Sequence, residues 1–301
     1  MTGLIAPAGR QGPGPIPAAS VEALDLVMAR RASGLLPGDR PAPGTGAGTE
    51  LAQLRPYQPG DDVRRLDAAA TARTGIPHVR LQVPERLLTT WIVLDVSASM
   101  AFGTAGRLKS DVAEGVALVL GRLGTRRGGR VALVTCGASV ARVLPPKGGR
   151  GALALLRRVV SEGVAPDGDG GAGAGLGEAL GRLGRMARHP GLVAVISDFR
   201  AADEWAAPLR RLAVRHSVLG VEVRDPREAE LPAVGRLALV DPESGRQVEV
   251  NTSSARLRSA YAAAERDRRA AIASELRRAG AEHVPLDTDR PWLRDLGRRL
   301  A

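Results

Sequence analysis

Asp95, Ser97 and Ser99 form an Asp-x-Ser-x-Ser triplet directly behind the apolar run at 91–94. Side chains just past the end of a buried strand lie on a turn at its carboxyl end. There a carboxylate and two hydroxyls can converge on one point. Oxygen donors of this kind suit a hard divalent cation, Mg²⁺ or Mn²⁺, which keeps several of its waters. Asp and Ser are also ordinary turn residues, so the triplet alone reads equally well as a strand followed by a serine-rich turn. A second apolar run, 192–196, leads into Ser197-Asp198-Phe199 and gives Asp198 the same relative position as Asp95. Two strands delivering an aspartate to one edge is what a shared cation needs. The pair favours a metal site of Asp95, Ser97, Ser99 and Asp198 over a mere helix cap at Asp198.

Such a site needs a sheet to hold it. From residue 91 onward, apolar strands (91–96, 130–135, 192–196, 216–223, 283–286) alternate with helices (108–123, 152–160, 176–188, 203–214, 254–279, 291–300). Leu108, Val112, Val116, Val119 and Leu123 share one face of the first helix. Residues 139–144 read as a hairpin partner of 130–135. Residues 237–240 and 247–250 flank Asp241-Pro242-Glu243-Ser244-Gly245, which is turn chemistry. The alternation predicts an α/β, Rossmann-like fold, with a mainly parallel sheet covered by helices on both faces. Ligands of such sheets bind beyond the carboxyl ends of the strands.

Three regions follow. Residues 1–44 are Gly- and Pro-rich and read as partly disordered, with a short helix at 21–31. Residues 45–90 form a segment expected to pack on the sheet, with an alternating strand at 79–83. Residues 91–301 form the main domain, with a hairpin insertion near 236–250. Within the second region, Asp61, Asp62, Arg64 and Arg65 read either as a surface ion-pair cluster or as a partner-docking segment. The basic helix at 254–279 reads as a solvated face.

Composition narrows the function classes. Lys and Arg total 43 against 32 Asp and Glu, a net charge of +11. Lysine occurs only at Lys109 and Lys147, so the charge is almost all arginine, as codon bias in a GC-rich genome would produce. The arginines are dispersed and not interleaved with aromatics, which argues against nucleic acid and allows an acidic protein partner. Cys136 is the single cysteine, so no intrachain disulfide forms, and a reducing cytoplasm fits. No apolar run is long enough to span a membrane, and the N-terminus has no signal pattern.

Other chemistries fit less well. Ser97, His216 and Asp198 could be assembled into a serine hydrolase on paper. However, Ser97 lacks the Gly-x-Ser-x-Gly elbow, and His216 begins its strand, at the far edge. Gly168, Gly170 and Gly173 match a dinucleotide pattern by letter, but no strand precedes them. Lys109 lacks the preceding glycine of a phosphate loop and reads as the opening of a helix. The four histidines have no metal-ligand spacing.

Several stretches carry a family resemblance: residues 49–67 with Arg55-Pro56-Tyr57-Gln58-Pro59-Gly60-Asp61-Asp62-Val63-Arg64, then 71–75, 95–100 and 197–199. Over residues 45–300 the chain resembles the MoxR-associated von Willebrand factor A-like proteins, catalogued as domain of unknown function fifty-eight. The resemblance implies a von Willebrand A fold and a metal-ion-dependent adhesion site whose last ligand comes from a partner's carboxylate. It also implies work beside a MoxR-type AAA+ ATPase. Many members carry two N-terminal transmembrane helices; this chain resembles the soluble subgroup.

Two departures stand out. Ala174 stands where the family's site takes a threonine, so one hydroxyl is missing, with Asp167 and Asp169 nearby in a glycine-rich loop. Mg²⁺ or Mn²⁺ is therefore expected to bind weakly or only with a partner. In addition, Asp67 is followed by Ala68 where the family usually has tryptophan. The expected function is a non-enzymatic adaptor. It would recognise an acidic residue on a client or on the ATPase during assembly or maturation of protein complexes. The alternative is metal-independent binding of an acidic protein or nucleic acid through the basic surface.

Overall fold

The computed structural model describes residues 50–83, 88–103, 106–168, 174–200 and 204–300. The expected N-terminal helix at 21–31 lies outside the described residues, as do Asp169 and the expected helix start at 203. The described chain divides into two compact units, one ending at residue 87 and one beginning at Leu88.

In the smaller unit, β1 (Glu50–Pro56) pairs antiparallel with β2 (His78–Val83), with an irregularity between Leu51 and Gln53. Residues 49–67 carry no periodicity that points to a strand; β1 exists through its pairing with β2. Helix α1 (Ala68–Thr74) is capped by Asp67, which accepts the Ala70 N–H at 2.8 Å and pairs with Arg80 at 2.6 Å. Gly75, at φ +73°, ends the helix in the left-handed conformation that glycine adopts without strain.

The larger unit is built on a six-stranded sheet. Its strands are β3 (Thr89–Asp95), β4 (Arg130–Cys136), β5 (Val143–Gly148), β6 (Leu192–Ser197), β7 (Ser217–Arg224) and β10 (Glu282–Asp287). They lie in the order β10-β7-β6-β3-β4-β5, and all are parallel except edge strand β5. This is the doubly wound α/β arrangement that the alternation predicts, with β3 and β6 adjacent at its centre.

Buried on both faces, β3 alternates its apolar residues between two cores. Ile92 and Leu94 join the core containing α2 (Lys109–Gly124), α3 (Gly149–Val160) and α7 (Trp292–Arg299). Trp91 and Val93 join the core containing α4 (Leu176–Met186), α5 (Ala206–Ala213) and α6 (Ala255–Arg278). Gly115 in α2 lets the Trp292 ring lie against the helix, since a Cβ there would stand 2.5 Å from ring carbons.

Two expectations are corrected. The partner of β4 is 143–148, not 139–144. The Arg142 N–H donates to Thr135 Oγ1 at 2.8 Å within the connecting turn, and Pro145 and Pro146 are tolerated because β5 is an edge strand. Helix α6 is not simply a solvated basic face, because Glu265, Ile272 and Leu276 are buried on its inner side. A separate hairpin of β8 (Arg236–Val240) and β9 (Gln247–Asn251) follows β7. Among the described residues no helix is long and apolar enough to cross a membrane.

Candidate functional site at the carboxyl edge of the sheet

β3 ends at Asp95, and the chain turns at Ser97 into a short 3₁₀ helix, Ala98–Ala101. The turn is organised by the aspartate itself. Asp95 Oδ1 accepts the Ser97 N–H at 2.9 Å, and Oδ2 accepts the Ser197 hydroxyl from the end of β6 at 2.5 Å. The Ser97 and Ser99 hydroxyls lie 3.1 Å apart. Asp95, Ser97 and Ser99 are thus brought together, all of them buried.

Gly137, just past β4, closes one side of the turn. Its φ is +84°, and a Cβ would fall 2.6 Å from Ser97 Cβ and 2.8 Å from Asp95 Oδ1. The Gly137 N–H donates to the Ala174 carbonyl at 3.0 Å, which places the Ala174 backbone beside this edge. On the other side, the Ala165 N–H donates to the Val96 carbonyl at 2.7 Å. Asp167, in the same loop, is exposed.

Asp198 reaches the same edge but has different company. Its Oδ2 accepts the Lys109 ammonium at 2.6 Å and its Oδ1 accepts the Arg200 N–H at 3.0 Å. Lys109, the first residue of α2, is wholly buried and also pairs with Glu228 at 2.7 Å. Arg200 lies 3.6 Å from Glu228 and 3.3 Å from Glu265, and Glu265 is held by Arg268 at 2.7 Å and Arg269 at 3.0 Å. Phe199 takes a left-handed φ of +53° as its N–H turns back to Ser197 Oγ at 2.9 Å. A non-glycine residue held there is a strained turn fixed by its surroundings.

The electrostatics of the two aspartates diverge. Burial, reinforced by the charge of Asp198, pushes the Asp95 carboxyl up to about 6 against the hydrogen bonds of Ser197 and Ser97. Burial acts on Asp198 too, but the charge and hydrogen bond of Lys109 override it and hold Asp198 below the usual carboxylate range. Burial would lower Lys109, and its two carboxylate partners override that and raise it. Among the described residues no cation pairs with Asp95.

Neither Lys109 nor the ion network behind it was foreseen as part of this edge. The one available signal was compositional: an arginine-rich chain keeps a lysine at the start of the helix that follows the triplet. Glu243 was also missed. From the β8–β9 turn, its Oε1 accepts the Ser99 N–H at 2.9 Å.

The proposed hydrolase partners do not meet. The His216 ring donates from Nε2 to the Ala187 carbonyl at 3.1 Å, just before β7 begins, whereas Ser97 follows the end of the parallel strand β3. Asp61, Asp62, Arg64 and Arg65 lie in the smaller unit. There Asp61 pairs with Arg55 at 2.7 Å, and Asp62 caps the 3₁₀ turn Val63–Arg65 by accepting the Arg64 N–H at 3.0 Å.

Among the described residues no three His, Cys, Asp or Glu side chains gather as a metal cluster. The donor set at the edge is instead one carboxylate and two hydroxyls. All are oxygen, and among the described residues the carboxylate has no counter-charge. That set fits a hard cation completed by water and does not fit a soft one.

Known proteins similar to this chain include the uncharacterized protein Rv1480 of Mycobacterium tuberculosis (strain ATCC 25618 / H37Rv). It is 42% identical over 285 residues, covering 94% of this chain and 89% of that protein. The uncharacterized protein MAV169 of Mycobacterium avium is 40% identical over 144 residues, covering 48% of this chain and 83% of that one. Among solved structures, the conserved hypothetical protein BatB of Bacteroides thetaiotaomicron matches with a TM-score of 0.45 at 15% identity, covering 71% of this chain and 97% of that one. The SpRpn10 VWA domain matches with a TM-score of 0.32 at 14% identity, covering 46% of this chain and 75% of that one. Neither structural likeness bears on function. The family model described as "Protein of unknown function DUF58" matches residues 53–271, more than half of the chain, and this chain belongs to that family.

Proposed function

We propose that this protein is a non-enzymatic interaction adaptor. Its binding edge is the Asp95–Ser97–Ser99 turn, loaded with Mg²⁺ or Mn²⁺. The observation that carries the reading is Asp95: a buried carboxylate without a cationic partner among the described residues, 2.9 Å from the Ser97 N–H, beside two hydroxyls 3.1 Å apart. A buried carboxylate without a counter-charge is costly unless neutralised, and a bound divalent cation would supply that charge and an open position for a carboxylate oxygen. Asp95, Ser97 and Ser99 would hold the ion. Asp198, whose charge Lys109 already balances, would orient the edge and not ligate directly. The partner would be an acidic side chain on a client or on a MoxR-type AAA+ ATPase. The motif at 55–64 and membership of the family support that pairing. Asp61, Asp62, Arg64 and Arg65 are the candidate docking residues of the smaller unit.

Calorimetric titration with Mg²⁺ and Mn²⁺ tests this reading. Binding by the wild type that Asp95→Ala abolishes is the expected result, and equal heats in both would overturn it. A second reading, binding without metal through the arginine-rich surface, is favoured by Ala174, which offers no hydroxyl at the edge. It predicts partner capture that salt weakens steeply and chelator leaves unchanged.

A further inference from the structure

The β8–β9 hairpin is a two-stranded sheet of its own, not hydrogen-bonded into the six-stranded sheet. Val240 and Val248 on it are each 47% exposed, while Leu237, Leu239 and Val250 are half-buried. Its tip touches the sheet edge at two points. The Gly168 N–H donates to the Pro242 carbonyl at 2.8 Å, and Glu243 Oε1 accepts the Ser99 N–H at 2.9 Å, across 144 residues of sequence.

The tip is shaped to present that carboxylate. Asp241 Oδ1 accepts the Glu243 N–H at 3.2 Å, Asp241 Oδ2 accepts the Ser244 hydroxyl, and the Gly245 N–H closes onto the Asp241 carbonyl at 2.8 Å. Gly245 sits at φ +69°, which glycine adopts freely.

The charge balance here is unusual for this chain. With a net charge of +11, the protein has cations to spare, and Asp198, Glu228 and Glu265 are all paired with them. Among the described residues neither Asp95 nor Glu243 has a Lys or Arg partner. The fold therefore delivers a second carboxylate to the edge where the first already lacks its counter-charge, on the backbone N–H of one of the three candidate ligand residues.

We infer that Glu243 is the chain's own carboxylate at this site, standing in the outward position that an acidic side chain of a partner would otherwise take. The inference rests on the reading of Asp95, Ser97 and Ser99 as a cation site. A partner would then displace the hairpin tip in order to bind. The edge would select acidic residues displayed on a turn, as Glu243 is displayed here.

The test uses the full chain and Mn²⁺ alone, reading free ion by electron paramagnetic resonance and bound ion by water-proton relaxation. Wild type, Asp95→Ala, Glu243→Ala, Glu243→Gln and the hairpin control Glu249→Gln are compared, each checked for folding by circular dichroism. The expected result for Glu243→Ala and Glu243→Gln is Mn²⁺ binding about tenfold weaker than wild type, with faster water relaxation by the bound ion. Added acetate should reverse the faster relaxation in those variants and leave wild type unchanged, and Glu249→Gln should match wild type. If Asp95→Ala abolishes binding while both Glu243 variants keep wild-type affinity and relaxation, the inference about Glu243 is overturned and the cation site stands. If wild type binds no Mn²⁺, the cation site itself falls, and the inference with it.

Discussion

Asp95 ends one strand and Asp198 follows the end of the adjacent parallel one, both behind apolar runs and both buried, yet they live in opposite electrostatic worlds. Asp198 is neutralised from within by Lys109, which is itself shared with Glu228 and backed by Arg200, Glu265, Arg268 and Arg269. Asp95 receives hydrogen bonds from Ser97 and Ser197, the repulsion of Asp198 and, among the described residues, no cationic partner. Strand position therefore says where a carboxylate is delivered. The neighbouring helix decides whether it arrives with its charge already balanced. On the proposed reading the unbalanced one would take an outside cation, and the balanced one would hold the edge in place.

The largest expected effect comes from removing the balance. Lys109→Met leaves Asp198 and Glu228 buried together without their cation. Urea denaturation should show a loss of about 3–5 kcal/mol. A loss below 1 kcal/mol would mean that the ammonium is not what holds the edge.

Next is Gly137→Ala, which forces a side chain into a positive φ and onto Ser97 Cβ, 2.6 Å away. It should cost about 1–3 kcal/mol in the same assay and weaken Mn²⁺ binding through the displaced turn.

The contrast sharpens with isosteric amides. Because the folded-state pKa of Asp95 is raised from 3.8 to about 6, the folded protein binds more protons than the unfolded chain in that window. The charge of Asp95 therefore destabilises the metal-free fold increasingly as pH rises from about 4 to 6, and by a constant amount above. Asp95→Asn should stabilise the metal-free protein at pH 7 by about 1–3 kcal/mol and have no effect at pH 3.5. Asp198→Asn should destabilise at pH 7, the opposite sign, since Asp198 is held below its ordinary range. Equal signs for the two variants in pH-resolved thermal melts would erase the distinction.

The smallest effect is that of Ala174→Thr, which restores a hydroxyl beside Gly137. Mn²⁺ affinity by calorimetry should rise several-fold, about 1 kcal/mol or less. No change would place the 174 side chain outside the ion's reach.

Much of this edge could be read from residues alone. The strands β3, β4, β6 and β7 are dense apolar runs because both of their faces are buried, and their ends place Asp95 and Asp198 without reference to any other part of the chain. What stayed hidden depends on contacts between distant segments. β1 exists only against β2, and β5 is displaced by a turn that Thr135 and Arg142 build between themselves. Lys109 opens its helix, as its position suggests. That its side chain turns inward to bridge Asp198 and Glu228, 89 and 119 residues away, is settled by tertiary packing. Glu243 sits in a turn legible as a turn, but nothing local to it says that the turn ends on Ser99.

The central claim is that Asp95, and not Asp198, takes an external cation. Mn²⁺ titration of Asp95→Ala and Asp198→Asn beside wild type, at pH 7.5 with folding confirmed for each, tests it most directly. The expected result is that Asp95→Ala abolishes binding while Asp198→Asn retains it within a few-fold of wild type. Retained binding in Asp95→Ala, or its loss in a folded Asp198→Asn alone, would contradict the claim.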